Sequence, residues 1–520
     1  MPVPPAGGET IPPSIELVVD GSPVSVPDTG GSLLHALRDV LGKRGPKDGC
    51  SPQGQCGCCT VLVDGSPRVA CVTPLRRVAG RTVTTIDGID PATSSRWADA
   101  LCATGGSQCG FCTPGIIVRL SAMKERPAGD GSDHAAVHRA LAAHLCRCTG
   151  WQTVVEAWDH LDDQPPDRDL AAATARATLE SGTEQRVGPE VALGRGGFAD
   201  DTAPADALVA VPDGAGGWVV AESVEEARRA AGKVQGRRTT ATATPPLDLP
   251  EGPWVATLRT SWVEPAYLET DATWCAPGGE PAPMSANGGA FGGKISTALG
   301  SAARQLADAH GRTVRVLWSR EDVVRSGPKR PPVAGGVRSD GTGVLRVVRT
   351  PGLAELAASV APGFVIEEVD VAGPPTSMDL RAAVWAEVAM LRSAISGGGG
   401  EVRAPNGAWA SASVSDTGIS VTVQAGDPLD EVVLRSYVIG AAHMAFGLVT
   451  SEGLSVDTDG TVHDLTIRSF GVVRASDLPP VEVSVLPGEG PPLAASDAAF
   501  AAVASAVWLA RGCPPDLPSV

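Results

Sequence analysis

Short runs in which apolar and polar residues alternate open the chain and predict strands. Residues 15–19 alternate up to Asp20-Gly21, and residues 24–26 resume the alternation, which indicates a β-hairpin. Ser32, a residue type that caps helices, precedes apolar residues at helical spacing, at positions 33, 34, 37, 40 and 41. Three more strands are predicted over residues 60–63, 69–72 and 83–86. The first part of the chain is therefore predicted to be a small β-rich domain.

The periodicity becomes helical after about residue 95. Four short helices are predicted, over residues 97–103, 114–124, 134–145 and 153–161. A polar, Ala-rich stretch at 164–186 is predicted to be a linker with some helical tendency. Beyond it, strands and Gly/Pro turns mix with helices, which are predicted over residues 222–234, 302–310, 434–448 and 498–510.

A chain of 520 residues has room for three or four domains of ~150 residues each. The order of elements predicts an α+β multidomain protein. The changes of pattern divide it into a β-rich domain, a helical domain, a linker and two mixed regions, over residues 14–90, 91–163, 164–186, 187–255 and 256–515.

Composition and charge exclude some classes of partner. Hydrophobic residues make up 43% of the chain, enough for several packed cores. The net charge of −17 argues against a nucleic-acid partner, because phosphate binding needs a basic face. No run of ~18 apolar residues predicts a membrane span. Residues 1–13 lack the parts of a signal peptide, so we expect a cytoplasmic protein.

Cysteine is concentrated in the first third of the chain. Of 12 cysteines, ten precede Thr149, and only Cys275 and Cys513 follow. A reducing cytoplasm disfavours structural disulfides. Buried free cysteines are common singly but do not keep regular spacings. Metal or iron–sulfur ligation is therefore the favoured interpretation.

The first regular set is Cys50-x5-Cys56-x2-Cys59-x11-Cys71. A [2Fe–2S] cluster needs four thiolates. Here three come from one glycine-rich loop, whose glycines let the backbone fold closely, and the fourth comes from the next predicted strand. Zinc is the alternative, but it prefers paired Cys-x2-Cys knuckles. Cys58 lies inside the loop and is predicted to be a bystander.

The second set is Cys109-x2-Cys112 followed by Cys146-x-Cys148. Taken alone it is a weak signal, because two cysteine pairs can also bind zinc. A Cys-x-Cys pair in a helical setting is nevertheless unusual for a zinc ribbon. Cys102 fits neither set and is predicted to be a second bystander.

Together the two sets resemble the iron–sulfur subunit of the molybdenum hydroxylases, the family of xanthine dehydrogenase, aldehyde oxidase and carbon monoxide dehydrogenase. Residues 49–61, 108–115 and 145–150 carry the resemblance, which spans roughly residues 14–162. It implies a β-grasp, ferredoxin-like [2Fe–2S] domain and a four-helix bundle domain with a second [2Fe–2S] cluster. Gln108 occupies the place of a family glutamine that contacts the pterin of the molybdenum cofactor. The implied cluster ligands are Cys50, Cys56, Cys59, Cys71, Cys109, Cys112, Cys146 and Cys148.

The remainder resembles the family's molybdenum-binding subunit in shortened form. A reduced α/β-hammerhead region and a molybdopterin-binding-like α+β region are implied, from matches at residues 194–201, 262–269, 287–294, 314–320, 329–331, 440–453 and 464–480. The glycine-rich loop at 287–294 resembles the segment that approaches the pterin and the metal. The cofactor-binding residues that this implies are Gly289, Phe291, Gly292 and Gly293.

Three features argue against an intact molybdenum site. About 330 residues follow the linker, fewer than the family's catalytic subunit uses, and residues 350–430 match nothing of its cofactor loop and substrate pocket. The family's Gly-x-Gly-Glu-Pro-Pro motif, whose glutamate is the general base, is not present intact, because Gly490 separates Gly488-Glu489 from Pro491-Pro492. Asp497 offers a carboxylate, but Ser496-Asp497 is explained more simply as the start of a helix. No catalytic residue is assigned.

The resemblance favours an electron-transfer subunit that passes electrons through two [2Fe–2S] clusters to a flavin or another acceptor. Its expected partners are a molybdenum-binding catalytic subunit, an FAD subunit, or both, because no flavin-domain motif is evident. Two alternatives stay open. One is a self-contained molybdenum-cofactor dehydrogenase for aldehydes, purines or N-heterocycles, and the other is a non-catalytic protein for cofactor binding or assembly.

Overall fold

The structure is a computed structural model that describes residues 13–124, 134–232, 241–284, 288–294, 298–396 and 400–519. Asn287, which belongs to the predicted cofactor loop, and the end of the predicted helix 222–234 lie outside the described residues.

The first domain is a five-stranded mixed sheet with strand order β2-β1-β5-β3-β4. Its elements are β1 (Ser14–Val19), β2 (Ser22–Pro27), α1 (Leu33–His35), β3 (Thr60–Val63), β4 (Ser66–Val69) and β5 (Thr82–Thr84). The buried positions of β1 alternate with exposed ones, as expected for a strand with one buried face. The predicted strand 69–72 is wrong after Val69, because a 3-10 turn at Ala70–Val72 directs Cys71 towards Cys59.

The helical domain follows directly. Its helices are α2 (Pro91–Thr104), α3 (Thr113–Lys124), α4 (His134–Leu141) and α5 (Gln152–Asp159). Asp90 caps α2, and Gly105 ends it in the left-handed conformation. Helix α4 ends four residues earlier than predicted, and the irregular backbone that follows it carries Cys146 and Cys148.

The segment predicted to be a linker contains an ordered, packed helix. The elements here are α6 (Leu170–Ser181), α7 (Pro189–Ala192) and α8 (Ala199–Thr202). Arg176 and Glu180 of α6 form an ion pair of 2.8 Å with both side chains fully buried. Glu180 also accepts hydrogen bonds from the backbone N–H groups of Ala495 and Ser496. A buried ion pair needs fixed surroundings, so this segment is part of the core rather than a free tether.

The second half continues with β6 (Leu208–Pro212), β7 (Trp218–Ala221), α9 (Val224–Ala230), β8 (Ala256–Thr260), β9 (Ala272–Cys275), α10 (Leu299–His310), β10 (Val314–Leu317), α11 (Arg320–Ser326), β11 (Val333–Val337), β12 (Gly343–Val348), α12 (Leu353–Val360), β13 (Phe364–Val369), α13 (Trp385–Ser396), β14 (Gly400–Arg403), β15 (Trp409–Ser415), β16 (Gly418–Gln424), α14 (Glu431–Thr450), β17 (Val481–Val485), α15 (Ser496–Ala510) and β18 (Asp516–Leu517). Its three sheets have the orders β7-β6-β10-β9, β13-β12-β11-β8-β18 and β14-β15-β16-β17.

Helix α14 is the central helix of the second half. Its 20 residues are apolar enough to cross a membrane, but most of that apolar stretch is buried inside the protein. The helix packs against α15 and against the helical cluster domain. One hydrophobic core joins the two cluster domains to most of the second half. The second half is therefore built directly onto the cysteine-bearing domains.

Candidate iron–sulfur centres

The loop between α1 and β3, together with the turn after β4, brings the first four cysteines together. The thiol of Cys50 contacts those of Cys56 and Cys71, and Cys71 in turn contacts Cys59. Backbone N–H groups point at the sulfurs, with Gln53 N 3.2 Å from Cys50 Sγ and Cys71 N 3.5 Å from Cys59 Sγ. Such donors offset the negative charge that a cluster places on its thiolates. All four side chains are buried.

The second set forms where α3 begins and α4 has ended. The sulfurs of Cys109 and Cys148 lie 3.8 Å apart, and Cys112 contacts Cys146. The Cys112 thiol and Thr149 donate towards Cys146 and lower the pKa of its thiol to about 6. The paired thiols raise the pKa of Cys112 and of Cys148, so the protein alone favours the thiolate, the form that binds iron, at Cys146.

The two cysteine sets are joined by one hydrogen bond. The backbone N–H of Leu145 donates to the carbonyl oxygen of Cys56 at 3.0 Å. Leu145 directly precedes Cys146, so a single hydrogen bond and one peptide unit connect a cysteine of each set. Cys58, predicted to be a bystander, is fully buried near this link, and the Cys56 and Cys146 thiols both act on its own thiol.

Gly57 lets the two cluster loops approach each other. Its φ is +74°, and a Cβ at this position would lie 2.5 Å from the ring of His144. His144 is buried, and its Nε2 lies 3.2 Å from Thr60 Oγ1. A side chain on residue 57 therefore needs both an unfavourable backbone conformation and the displacement of a fixed ring.

We expect Gly57→Ala to weaken both cluster loops. Left-handed strain at a non-glycine residue costs ~1–3 kcal/mol, and the clash with His144 adds to it. Iron per chain and the thermal unfolding midpoint should both fall. Gly65→Ala is the matched control, because Gly65 has φ +72° but nothing within 4 Å of its Cβ position. Equal behaviour of the two variants would contradict the role of close packing at Gly57.

The residues fit two [2Fe–2S] clusters by the chemistry of their donors. Each set supplies four thiols, every predicted ligand is a free cysteine, and backbone donors face the sulfurs. Within the described residues, no group of three or more His, Cys, Asp or Glu side chains has the arrangement that would hold a metal ion as it stands. The choice of ligands therefore depends on thiol pairing and motif spacing, and it stays a prediction.

Residues of the second half of the chain form hydrogen bonds with the loops that carry both cysteine sets. Arg147 lies between Cys146 and Cys148, and its guanidinium forms two hydrogen bonds with Glu452, of 2.5 and 2.6 Å, inside the protein. In the first loop, Gln53 donates to Glu321 and accepts from the backbone N–H of Ile467. These contacts span more than 260 residues of sequence, and no local spacing signalled them.

The predicted cofactor residues are close together but are already engaged with protein groups. Gln108 donates to the Cys148 carbonyl oxygen at 3.0 Å and to Ser436 Oγ at 2.9 Å. Phe291 packs edge-on against Tyr437, and the Arg381 guanidinium lies 3.8 Å from its ring centre. Gln108 and Phe291, two of the residues that would hold a pterin, thus contact α14, and Gln108 Oε1 has no hydrogen-bond partner within the described residues.

The backbone of the predicted cofactor loop also packs closely against the protein and leaves little space for a cofactor. A Cβ on Gly292 would lie 1.9 Å from the carbonyl oxygen of Asp379, and one on Gly289 would lie 2.7 Å from Arg147 Cβ. Gly293 likewise sits against Pro265. This packing does not fit a molybdenum–pterin cofactor, and no chemistry is derived through that group.

Asp497 takes the simpler of its two predicted roles. It lies in the first turn of α15, where a carboxylate is favoured by the helix dipole. Its Oδ1 is 3.3 Å from Arg381 Nε, and its Oδ2 accepts from the backbone N–H of Ala382. The carboxylate is thus held by an arginine and a backbone donor.

A surface groove opens beside the first cysteine set. It has a volume of about 320 Å³, and Cys71 is part of its wall. The β-grasp domain contributes Leu34 and Pro52, while the second half contributes Arg228 and Leu317. Next to Cys71, the side chain of Val72 is 48% exposed. Cys71, one of the predicted ligands, therefore has a route to the surface.

Two buried sets of four thiols, facing backbone donors and joined by one hydrogen bond, define a protein with two [2Fe–2S] clusters. Residues 85–159 match the family described as [2Fe-2S] binding domain. The iron-sulfur-binding subunit of xanthine dehydrogenase from Escherichia coli O157:H7 is 36% identical over 148 residues, which are 28% of this chain and 91% of that subunit. An aldehyde oxidoreductase from Megalodesulfovibrio gigas is 41% identical over 132 residues, 25% of this chain and 14% of that protein.

The whole fold also has a counterpart. The crystal structure of the aldehyde oxidoreductase from Desulfovibrio desulfuricans matches with a TM-score of 0.68 and 13% identity, over 95% of this chain and 97% of that one. The chain therefore belongs to the molybdenum hydroxylase family. The predicted family, the α+β multidomain fold and the [2Fe–2S] clusters are confirmed. For the second half the likeness is one of fold alone.

Proposed function

We propose that this chain transfers electrons between two [2Fe–2S] clusters as the iron–sulfur component of a molybdenum hydroxylase-type oxidoreductase. The observation that carries the proposal is the hydrogen bond of 3.0 Å from Leu145 N to Cys56 O. It gives the two cysteine sets a short covalent and hydrogen-bonded connection. One cluster is held by Cys109, Cys112, Cys146 and Cys148, and the other by Cys50, Cys56, Cys59 and Cys71.

The groove at Cys71 supports an exit for electrons at the first cluster. A flavin-bearing or other redox partner that reaches this groove would approach a cluster ligand directly. The relative from Escherichia coli is by its printed name a subunit of a xanthine dehydrogenase. By analogy, the partners of this chain are a molybdenum-binding catalytic subunit, an FAD subunit, or both, in the cytoplasm.

The self-contained dehydrogenase is the weaker candidate. It requires a bound molybdenum cofactor beside Gln108 and Gly292. Both are engaged with protein atoms, and the carboxylate nearest before Pro491, that of Glu489, is exposed. The substrates of such an enzyme are therefore not proposed for this chain.

Metal analysis of the purified full chain, combined with EPR of the reduced protein, tests the proposal. Two clusters contain about four irons per chain and should give two [2Fe–2S] signals after reduction. We expect these signals without molybdenum or pterin. Stoichiometric molybdenum would support the self-contained dehydrogenase instead, and a chain without iron would refute cluster-based electron transfer altogether. Failure to pass electrons from reduced clusters to any flavin acceptor would favour an assembly role.

A further inference from the structure

A water-sized cavity lies between the two cluster loops. Its volume is about 30 Å³, and a single water needs roughly 10–15 Å³ of such space. Asp48 and Ser51 of the first loop and Phe111 of the second line it, together with the carboxylate-bearing residue Glu269. The cavity therefore brings a titratable side chain to the region between two redox centres.

The backbone around Glu269 touches both cluster loops. The Arg320 guanidinium donates to the carbonyl oxygens of Gly49, at 2.7 Å, and of Leu268, at 3.1 Å. Gly49 precedes Cys50, so this arginine ties residue 268 to the first cluster. On the other side, Leu268 N donates to Gly288 O, and the Cβ position of Gly289 is 3.4 Å from Cys148 Sγ. Glu269 is thus fixed between the clusters.

The Glu269 carboxylate faces one ammonium group and two carboxylates. Its Oε2 lies 2.7 Å from Lys294 Nζ, but the carboxylates of Asp271 and Asp201 also face it. Lys294 acts on Asp271 too, and Asp271 accepts a 2.5 Å hydrogen bond from Tyr267. Arg320 and Lys329 complete the cations that face Asp271, and Lys47 and Arg38 pair with Asp201. Burial outweighs the attraction of Lys294 and raises the pKa of Glu269 to about 7.

Water has a route towards this cavity. Five side chains line both the cavity and the groove at Cys71, and they are Arg38, Asp48, Asp200, Arg228 and Leu317. Asp48 Oδ1 and Arg228 Nε have no hydrogen-bond partner within the described residues. An acceptor and a donor of this kind can hold waters that relay a proton.

We propose that Glu269 takes up a proton when a neighbouring cluster is reduced. The inference rests on the proposed electron transfer. An electron from the redox partner adds one negative charge to a cluster, and hydronium from the bulk solvent gives a proton to the Glu269 carboxylate. One O–H bond of hydronium breaks, one O–H bond of the carboxylic acid forms and neutral water is left, so the added charge near the clusters is cancelled. Lys294 keeps the carboxylate of Asp271 as its counter-charge, so neutral Glu269 does not leave an unpaired ammonium.

The test measures the reduction potentials of both clusters in the full chain by EPR-monitored titration, from about pH 6 to about pH 9. Proton uptake on reduction makes the potential fall as the pH rises. We expect little change below about pH 7, where Glu269 is protonated in both redox states. Above it, the potential should fall by up to about 59 mV for each tenfold change in proton activity.

Two variants and the iron content separate the possible outcomes. Glu269→Gln should make the potentials independent of pH. Glu264→Gln should keep the slope, because Glu264 is an equally buried carboxylate, 3.0 Å from Lys329, outside the cavity wall. A slope that persists in Glu269→Gln would assign it to another group, such as His35 in the groove, and would overturn the inference. Flat potentials in the unaltered chain with full iron would overturn it as well, whereas a chain without iron would refute the electron transfer itself.

Discussion

Replacing Cys112 by alanine should remove one whole cluster and leave the other. Cys112 faces Cys146, and the other three thiols of the second set are themselves predicted ligands. A cluster with three thiolates loses one iron's coordination, so iron should fall from about four to about two per chain. Iron and acid-labile sulfide analysis, with EPR of the reduced protein, should show one of two signals lost. Electron flow between the clusters would then end.

Cys58→Ala provides the matched control for that loss. Cys58 is as buried as the predicted ligands and lies between the two sets, and the same atoms are removed. We expect about four irons and both EPR signals to remain. If Cys112→Ala kept both signals, or if Cys58→Ala lost one, the assignment of ligands would be wrong.

Glu452→Gln should destabilise the protein more than any single surface change. The variant leaves the guanidinium of Arg147 buried and without its anion. Breaking one side of a buried pair costs ~3–5 kcal/mol. Because Arg147 lies between two cluster cysteines, the second cluster should also lose iron faster. Denaturant unfolding, reported as the apparent midpoint, and the rate of iron loss to a chelator would measure both effects.

The control is the ion pair between Arg346 and Glu367. Its N–O distance is 2.8 Å, similar to that of the buried pair, but its side chains are 28% and 43% exposed. Glu367→Gln should therefore change stability by ~1 kcal/mol or less. The double variant Arg147→Met with Glu452→Met should recover much of the loss, because no unpaired charge remains. Equal effects of Glu452→Gln and Glu367→Gln on stability would contradict the conclusion that the buried pair of Glu452 and Arg147 stabilises the protein.

Much of the site could be predicted from local sequence. The cysteine spacings, the strand–turn–strand at Asp64-Gly65 and the helix that starts at Ser496 are short-range features, and the structure contains each of them. Errors arose where a distant contact changed local geometry. The strand predicted through Cys71 ends early because the backbone N–H of Cys71 turns towards Cys59 Sγ. The helical tendency predicted for residues 164–186 becomes a packed helix because Glu180 binds the start of α15.

The sequence by itself determined the family and the two four-cysteine motifs. These depend on residue identity and spacing along a few turns of backbone. Only the tertiary structure decided that Glu452 pairs with Arg147, that the amide group of Gln108 donates a hydrogen bond to Ser436, and that Glu269 lies between the cluster loops. Such pairs are hundreds of residues apart or depend on packing from several elements. Burial and the packing of the core bring these residues together, and the local periodicity of the sequence does not predict that packing.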